Sequence, residues 1–472
     1  MASLTFLGAV DGVTGSMYLL QTQSSRILLD CGLFQGRREE EAGNSRPFDF
    51  APDTIDAVVL SHAHLDHSGR LPLLVKEGYT GPIFMTRPTV DLVEVLLKDA
   101  ASLQERDAEW ENKRRRRSGK EEIEPLYSLE DVEEALSFFV GKNYGERISV
   151  SDDIDLRFSD AGHILGSAIV EILITELGQQ KKLVFSGDLG NDQAALLRDP
   201  DAIDSADVVL LESTYGNREH RSMAETLQEF EDVIAEASKN GGNILIPSFA
   251  VGRTQEMIFR LGELYQKGKL HQQAIYLDSP MAIAITEIYH RYQDVYNSAD
   301  KAAISGHSNA AKHEQRSLHS FLPVLRYSIS TDESIALNKI VNGAIIIAGS
   351  GMCNGGRIRH HLKHNLWRQQ SHVIFVGFQA IGTPGRTLVD GAERIKIAGE
   401  DIAVRAKIHT MGGFSAHASQ SQLIKWLNNF QGDRPRLYLV HGEEQAKQTL
   451  QTAVKEHGWQ AQIPQLNQTI DF

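Results

Sequence analysis

The stretch Ser61-His62-Ala63-His64-Leu65-Asp66-His67-Ser68-Gly69 constrains this chain more than any other, because it sets four metal-capable side chains within six positions, directly after the apolar run Val58, Val59 and Leu60. Such a run ends a buried strand, so the loop that follows emerges at a sheet edge, where function is commonly placed. In an extended loop His62 and His64 point to one side and can share an ion. Asp66 and His67, beyond the bend at Leu65, can then face a second ion. The spacing suits two ions rather than one, and reads as half of a two-metal hydrolase site.

Two ions held by these side chains alone would keep unfilled coordination, so further His and Asp are expected at other strand ends. Ser159-Asp160-Ala161-Gly162-His163, Phe185-Ser186-Gly187-Asp188 and Leu439-Val440-His441-Gly442 each follow an apolar run. In all three a glycine stands beside His163, Asp188 or His441, and lets backbone approach a crowded centre.

These residues carry a resemblance. Asp30 in Leu28-Leu29-Asp30-Cys31-Gly32, the run from His62 to His67, His163 and Asp188 are similar to the metal motifs of the metallo-β-lactamase superfamily. Leu211-Glu212-Ser213-Thr214-Tyr215-Gly216, Gly413-Phe414-Ser415-Ala416-His417 and Val440-His441-Gly442-Glu443 resemble motifs A, B and C of its β-CASP group of nucleases. Pro247-Ser248-Phe249-Ala250-Val251-Gly252-Arg253-Thr254-Gln255-Glu256 and Ser350-Gly351-Met352-Cys353-Asn354-Gly355-Gly356-Arg357 also look like that group. Within it, the chain is similar to the endonuclease subunit of the eukaryotic cleavage and polyadenylation specificity factor and to its short prokaryotic relatives.

The resemblance implies an α/β fold, a metallo-β-lactamase αββα sandwich with an inserted β-CASP domain. It implies RNA as substrate, since RNA-acting members carry His at motif C, here His441. The ligand assignment that goes with it places one divalent ion on His62, His64, His163 and Asp188. The other sits on Asp66, His67, Asp188 and His441, with Asp188 shared. Zn is the first expectation for imidazole and carboxylate donors, and Mn fits the same ligands. A water activated by both ions would attack the phosphodiester. The leaving O3′ of RNA needs a proton, for which His is best matched near neutral pH. His417 is the expected general acid, Glu212 its tautomer-fixing partner, Asp66 part of the catalytic set, and Asp30 an orienting residue behind the ligands. The expected activity is endonucleolytic cleavage of single-stranded RNA in processing or decay. A 5′ exonuclease mode, a small-molecule metallohydrolase and a non-catalytic scaffold subunit are the alternatives.

The formal charge of −14 argues against wholesale attraction to nucleic acid, so any RNA contact must be local. Residues 351–396 carry seven basic side chains against two acidic ones. A Gly-rich turn plus Arg makes a phosphate cradle, which singles out Ser350, Arg357 and Arg386 as substrate-binding residues. Arg114 to Arg117 lie among glutamates and read as a solvated arm. His360, His361 and His364 have helical spacing but no carboxylate near them in sequence, and read as helix-face residues.

With 472 residues, of which 41% are hydrophobic, the chain is long enough for two large domains. Strands at 4–7, 17–22, 26–29 and 57–60 open it, helices follow at 71–77, 89–106 and 129–139, and strands return between 154 and 212. From 223 to 390 helix and strand alternate, as in a mostly parallel sheet flanked by helices. The domains are therefore expected at 1–215, 216–390 and 391–472, the last completing the first through segments 404–410 and 436–440 and a helix at 443–457. Cys31 and Cys353 are too far apart in sequence to suggest a disulfide framework, which suits a reducing compartment. No stretch of ~18 apolar residues occurs, so no membrane is expected as partner and a cytoplasmic location is. A homodimer or an RNA-processing complex fits equally.

Overall fold

The computed structural model describes residues 2–36, 38–305, 317–380 and 382–472. Two compact units emerge: residues 1–192, 199–219 and 417–472 form the first, and residues 193–198 with 220–416 form the second.

The first unit is built on two seven-stranded sheets. One runs Thr469–Asp471, Ser3–Phe6, Tyr18–Gln21, Arg26–Leu29, Ala57–Val59, Ile83–Thr86, Phe139–Lys142. The other runs Ala461–Gln462, Arg436–Val440, Val208–Glu212, Gln179–Phe185, Ala168–Glu176, Ile154–Asp160, Arg147–Ser149. The period of two in each strand decides the layering. Phe158, Val170, Phe185 and Leu210 turn toward Leu4, Phe6, Ile27 and Val59 of the first sheet and form the core between the sheets. Their neighbours Ile169, Val184, Val209 and Leu211 turn the other way, onto Leu423 and Leu427 of helix Gln420–Leu427 and Leu450 and Val454 of helix Glu444–Glu456. This is the expected αββα sandwich.

Helix Arg87–Arg117 extends eleven residues past the expected end near 106. Its apolar stripe (Leu92, Val93, Leu96, Leu97, Ala100, Ala101) fades, which hid the extension, yet the remaining residues are mostly Ala, Glu, Lys and Arg, strong helix formers. Arg114 to Arg117 occupy the last turn, where cations complement the negative end of the helix dipole.

The second unit holds a six-stranded sheet in the order Leu325–Tyr327, Ala274–Leu277, Ala344–Ala348, Ile244–Pro247, His372–Phe375, Lys407–Thr410, with every neighbouring pair parallel. Lys407–Thr410, expected to complete the first domain, instead pairs with His372–Phe375 as the edge strand of this sheet. Its four residues carry no pattern specific to either partner sheet, and the choice is made by main-chain pairing. The helices Arg253–Gln266, Pro280–Arg291 and Ile358–Asn365 are among its flanking elements.

Strand Ala274–Leu277 delivers the buried Asp278, which corrects the expectation that no carboxylate stands near the 360–364 histidines. Asp278 accepts hydrogen bonds from Arg357 Nη1 at 2.8 Å, Ser334 Oγ at 2.6 Å and His361 Nε2 at 2.6 Å. Burial alone would raise this carboxyl, but the bonds from His361, Ser334 and Arg357 hold it at about 2. A depressed carboxylate stabilises the fold above its unfolded value near ~3.9, and that stabilisation is lost as pH falls toward about 2. Asp278→Ala leaves the Arg357 guanidinium and the His361 ring without their shared acceptor, and is expected to cost about 3–5 kcal/mol in urea unfolding of the second unit. A cost under ~1 kcal/mol would show that solvent replaces the carboxylate.

Candidate metal centre

All expected metal ligands lie in the first unit, at the ends of strands or in the loops that follow them. Ala57–Val59 leads into the His62 to His67 loop, and Asp66 and His67 lie in the single helical turn Leu65–Ser68. Ile154–Asp160 leads to His163, Gln179–Phe185 to Asp188, and Arg436–Val440 to His441.

Four donors each about 2.1 Å from one centre, at tetrahedral angles, stand roughly 3.4 Å from one another. His62 Nε2 lies 3.1 Å from His64 Nδ1, which lies 3.2 Å from His163 Nε2. Asp188 Oδ2 lies 3.5 Å from His62 Nε2 and 3.6 Å from His163 Nε2. A second set surrounds the same oxygen: His67 Nε2 is 3.4 Å from Asp188 Oδ2, 3.1 Å from His441 Nε2 and 3.9 Å from Asp66 Oδ2. His441 Nε2 is 3.6 Å from Asp66 Oδ2. A neutral imidazole has one donor and one acceptor, so so many ring nitrogens facing one another are not a hydrogen-bond network. His62, His64, His163 and Asp188 form one group that could hold a divalent ion and Asp66, His67 and His441 another, with Asp188 beside the second: Oδ2 is 3.4 Å from His67 Nε2 and Oδ1 3.3 Å from His441 Nδ1.

Electrostatics agrees. Burial pushes His62 well below its ordinary value and His64 down to about 4, so both rings are neutral and offer lone pairs. Burial would raise Asp188, but the imidazoles of His441, His67 and His62 hold it well below the usual carboxylate range. His67 is the exception: burial opposes its charge, yet Asp188, Asp30 and Asp66 raise it well above an ordinary histidine. An ion held by Asp66, His67 and His441 would have to displace a proton from His67.

The residues behind the donors fix their orientation. Asp30 Oδ2 lies 2.7 Å from His67 Nδ1, and the carboxylate also accepts from Ser61 N–H at 2.8 Å and Ser16 Oγ at 2.9 Å. With its Nδ1 proton on Asp30, His67 presents Nε2 to the centre. Thr214 Oγ1 lies 3.2 Å from His441 Nδ1 and plays the matching part there. Thr214, Ser61 and Ser16 were not singled out in the sequence: hydroxyls are too common there to stand out, although Thr214 sits inside the motif that contains Glu212.

His417 Nδ1 lies 3.2 Å from Glu212 Oε1 and 3.8 Å from Asp188 Oδ2, and its ring centroid is 4.5 Å from that of His163. Glu212 is fully buried and held by Leu189 N–H at 2.9 Å and Thr214 N–H at 3.1 Å. Burial works against a charged His417, but Glu212, Asp188 and Asp66 raise it above an ordinary histidine. Residues 188–190 knit the group together, because Leu189 O accepts from Ala418 N–H at 2.8 Å and Gly190 bridges to His417. Only glycine fits at 190, where a Cβ would stand 2.0 Å from Gly162 O.

The expected substrate residues belong to the second unit. Arg357 is engaged by Asp278 and by the carbonyls of Ser328 at 3.1 Å and Ile329 at 2.7 Å. Ser350 Oγ accepts from Gly355 N–H at 3.3 Å, and Arg386 Nε reaches Asp390 at 2.8 Å on the surface.

Models of three families match the chain: the metallo-beta-lactamase superfamily over residues 10–228, the Beta-Casp domain over 254–388, and the Zn-dependent metallo-hydrolase RNA specificity domain over 401–464. Ribonuclease TTHA0252 of Thermus thermophilus is 42% identical over 440 residues, covering 93% of this chain and 92% of that protein. The chain belongs to the β-CASP family of the metallo-β-lactamase superfamily. This β-CASP protein is also 31% identical to transcription termination factor FttA of Methanocaldococcus jannaschii, over 93% of the chain and 67% of that factor. A crystal structure of a protein of unknown function from Enterococcus faecalis shares the fold at 13% identity, with a TM-score of 0.56 over 99% of both chains. Among the described residues no helix is long and apolar enough to cross a membrane.

Proposed function

We propose that this β-CASP protein is a metal-dependent ribonuclease that hydrolyses RNA phosphodiester bonds, cutting single-stranded RNA internally. The observation that carries the reading is two adjacent donor sets, with Asp188 Oδ2 in one and 3.4 Å from His67 of the other, and His417 beside them. The ribonuclease relative and the match to an RNA specificity domain supply the substrate class.

His62, His64, His163 and Asp188 would hold one ion, and Asp66, His67, Asp188 and His441 the other. Two ions, Zn first and Mn second, supply an activated water and neutralise charge on the phosphate. Asp30 and Thr214 keep the proton on the far nitrogen of His67 and His441. Glu212 holds Nδ1 of His417, so the proton for transfer sits on Nε2 and goes to the departing O3′. Ser350 and Arg386 are kept as RNA contacts. We assign Arg357 first to the Asp278 cluster, where it spends its donors. The two buried free cysteines suit a cytoplasmic setting.

End-labelled unstructured RNA, incubated with protein and Zn or Mn, is expected to give internal fragments from the earliest time points, and none with chelator. Mononucleotides released progressively from the 5′ end would replace the endonuclease mode by the exonuclease one. Metal-loaded protein that spares every RNA but turns over a thioester or lactam would sink the ribonuclease reading.

A further inference from the structure

Lys447 is buried to 1% exposure in helix Glu444–Glu456, away from the donor sets themselves, and an ammonium is costly to bury without a purpose. Its Nζ donates to Val10 O and pairs with Glu444 at 3.2 Å. Val10 lies in the segment 8–16, whose other anchors run to the 32–35 loop (Gly15 N–H to Leu33 O at 2.9 Å, Gly32 N–H to Ser16 O at 3.0 Å) and to donors of the second set.

At one end, Ala9 O accepts from His441 N–H at 2.7 Å and Gly12 O from Gly442 N–H at 3.1 Å. His441 adopts a left-handed φ of 49°, a backbone state that non-glycine residues keep only when their surroundings impose it. At the other end, Ser16 N–H donates to Asp66 O at 2.9 Å, and Ser16 Oγ donates to Asp30, which holds His67. The segment thus straps together Asp66, His67 and His441, the three donors that the second ion does not share. Its fold is tight: a Cβ at Gly8 would stand 1.8 Å from Gly15 O. Of the first ion's histidines, His163 N–H is held by Ser167 Oγ at 3.0 Å, outside the strap, and His62 Nδ1 by Ser61 Oγ at 3.1 Å, which reaches the strap only through Asp30.

We infer that Lys447 is a positioning residue for the second metal site alone, acting as the buckle of the 8–16 strap. The inference rests on the two-ion reading above. The ammonium draws the Val10 carbonyl onto the helix that follows His441, so the strap and the His441 backbone move as one piece. Without it, Val10 loses its partner and the strap is free to shift, which spreads His441 from Asp66 and His67. His62, His64, His163 and Asp188 stay in place.

The test counts zinc by elemental analysis and follows its release to a chromogenic chelator in wild type and Lys447→Met. Wild type is expected to hold two ions. In the variant one ion is retained with wild-type release, while the other is held about 10- to 100-fold more weakly, the scale for loss of an outer-shell support. Equal weakening of both ions, or two ions with unchanged release, overturns the positioning role. Fewer than two ions in wild type would overturn the two-ion reading itself, whatever the variant does. If Lys447→Met does not fold, Lys447→Leu, which also removes the donor to Val10 O, is read by the same criteria. A measurement free of mutation stands beside them: stripping the weaker ion from wild type should raise amide exchange at 9–16 and 441–442 together. Unchanged exchange across those residues overturns the strap.

Discussion

Asp188→Ala is expected to strip both ions and lower RNA cleavage by about 10⁴-fold or more, because Asp188 Oδ2 faces His62 and His163 of one set and His67 of the other. Removing His62 or His441 should act differently, since each belongs to one set. The comparison is made by zinc content after gel filtration, with circular dichroism to check the fold. A variant that keeps both ions would show that Asp188 bridges nothing. The physical point is charge: Asp188 is a buried carboxylate within 3.6 Å of His62 and His163 on one side and of His67 and His441 on the other, and without it two dications would lose the anion that stands between them.

His417→Ala is expected to retain both ions and lose about 10²- to 10⁴-fold in cleavage, the range for a positioned general acid. The pH profile carries the sign. A general acid works while protonated, so activity falls as pH rises through its pKa, and the Glu212 carboxylate 3.2 Å from Nδ1 favours the charged ring against burial. Glu212→Gln removes this attraction and should move the limb to lower pH with metal content unchanged. A limb that stays in place would assign the proton to another group. Loss of metal in His417→Ala would make His417 a ligand rather than an acid.

Much of this centre was legible in the chain because its chemistry is concentrated. His62, His64, Asp66 and His67 are contiguous and rare in combination, and His163, Asp188 and His441 each follow an apolar run and neighbour a glycine. The structure brings all of them within the two donor sets. The supporting residues were less visible. Ser16, Ser61 and Thr214 are ordinary hydroxyls, and Lys447 has the spacing of a surface helix residue until its burial is known. The same applies in the second unit, where Asp278 is one aspartate after one apolar strand, yet it gathers Ser334 from one later helix and Arg357 and His361 from another.

Sequence alone determined the donor chemistry, the alternation of strands and helices, and the split of the chain into a sandwich and a parallel-sheet unit, because these depend on residue type and on periods of two and 3.6 that are local. Tertiary structure alone decided three things. It chose the sheet that Lys407–Thr410 joins, the partner that Arg357 takes, and the strap through which Lys447 reaches His441. Each is a pairing between groups tens to hundreds of residues apart, and a main-chain carbonyl or an edge strand offers the same hydrogen bonds to every candidate. Only the packed chain, which leaves one candidate within reach, selects among them.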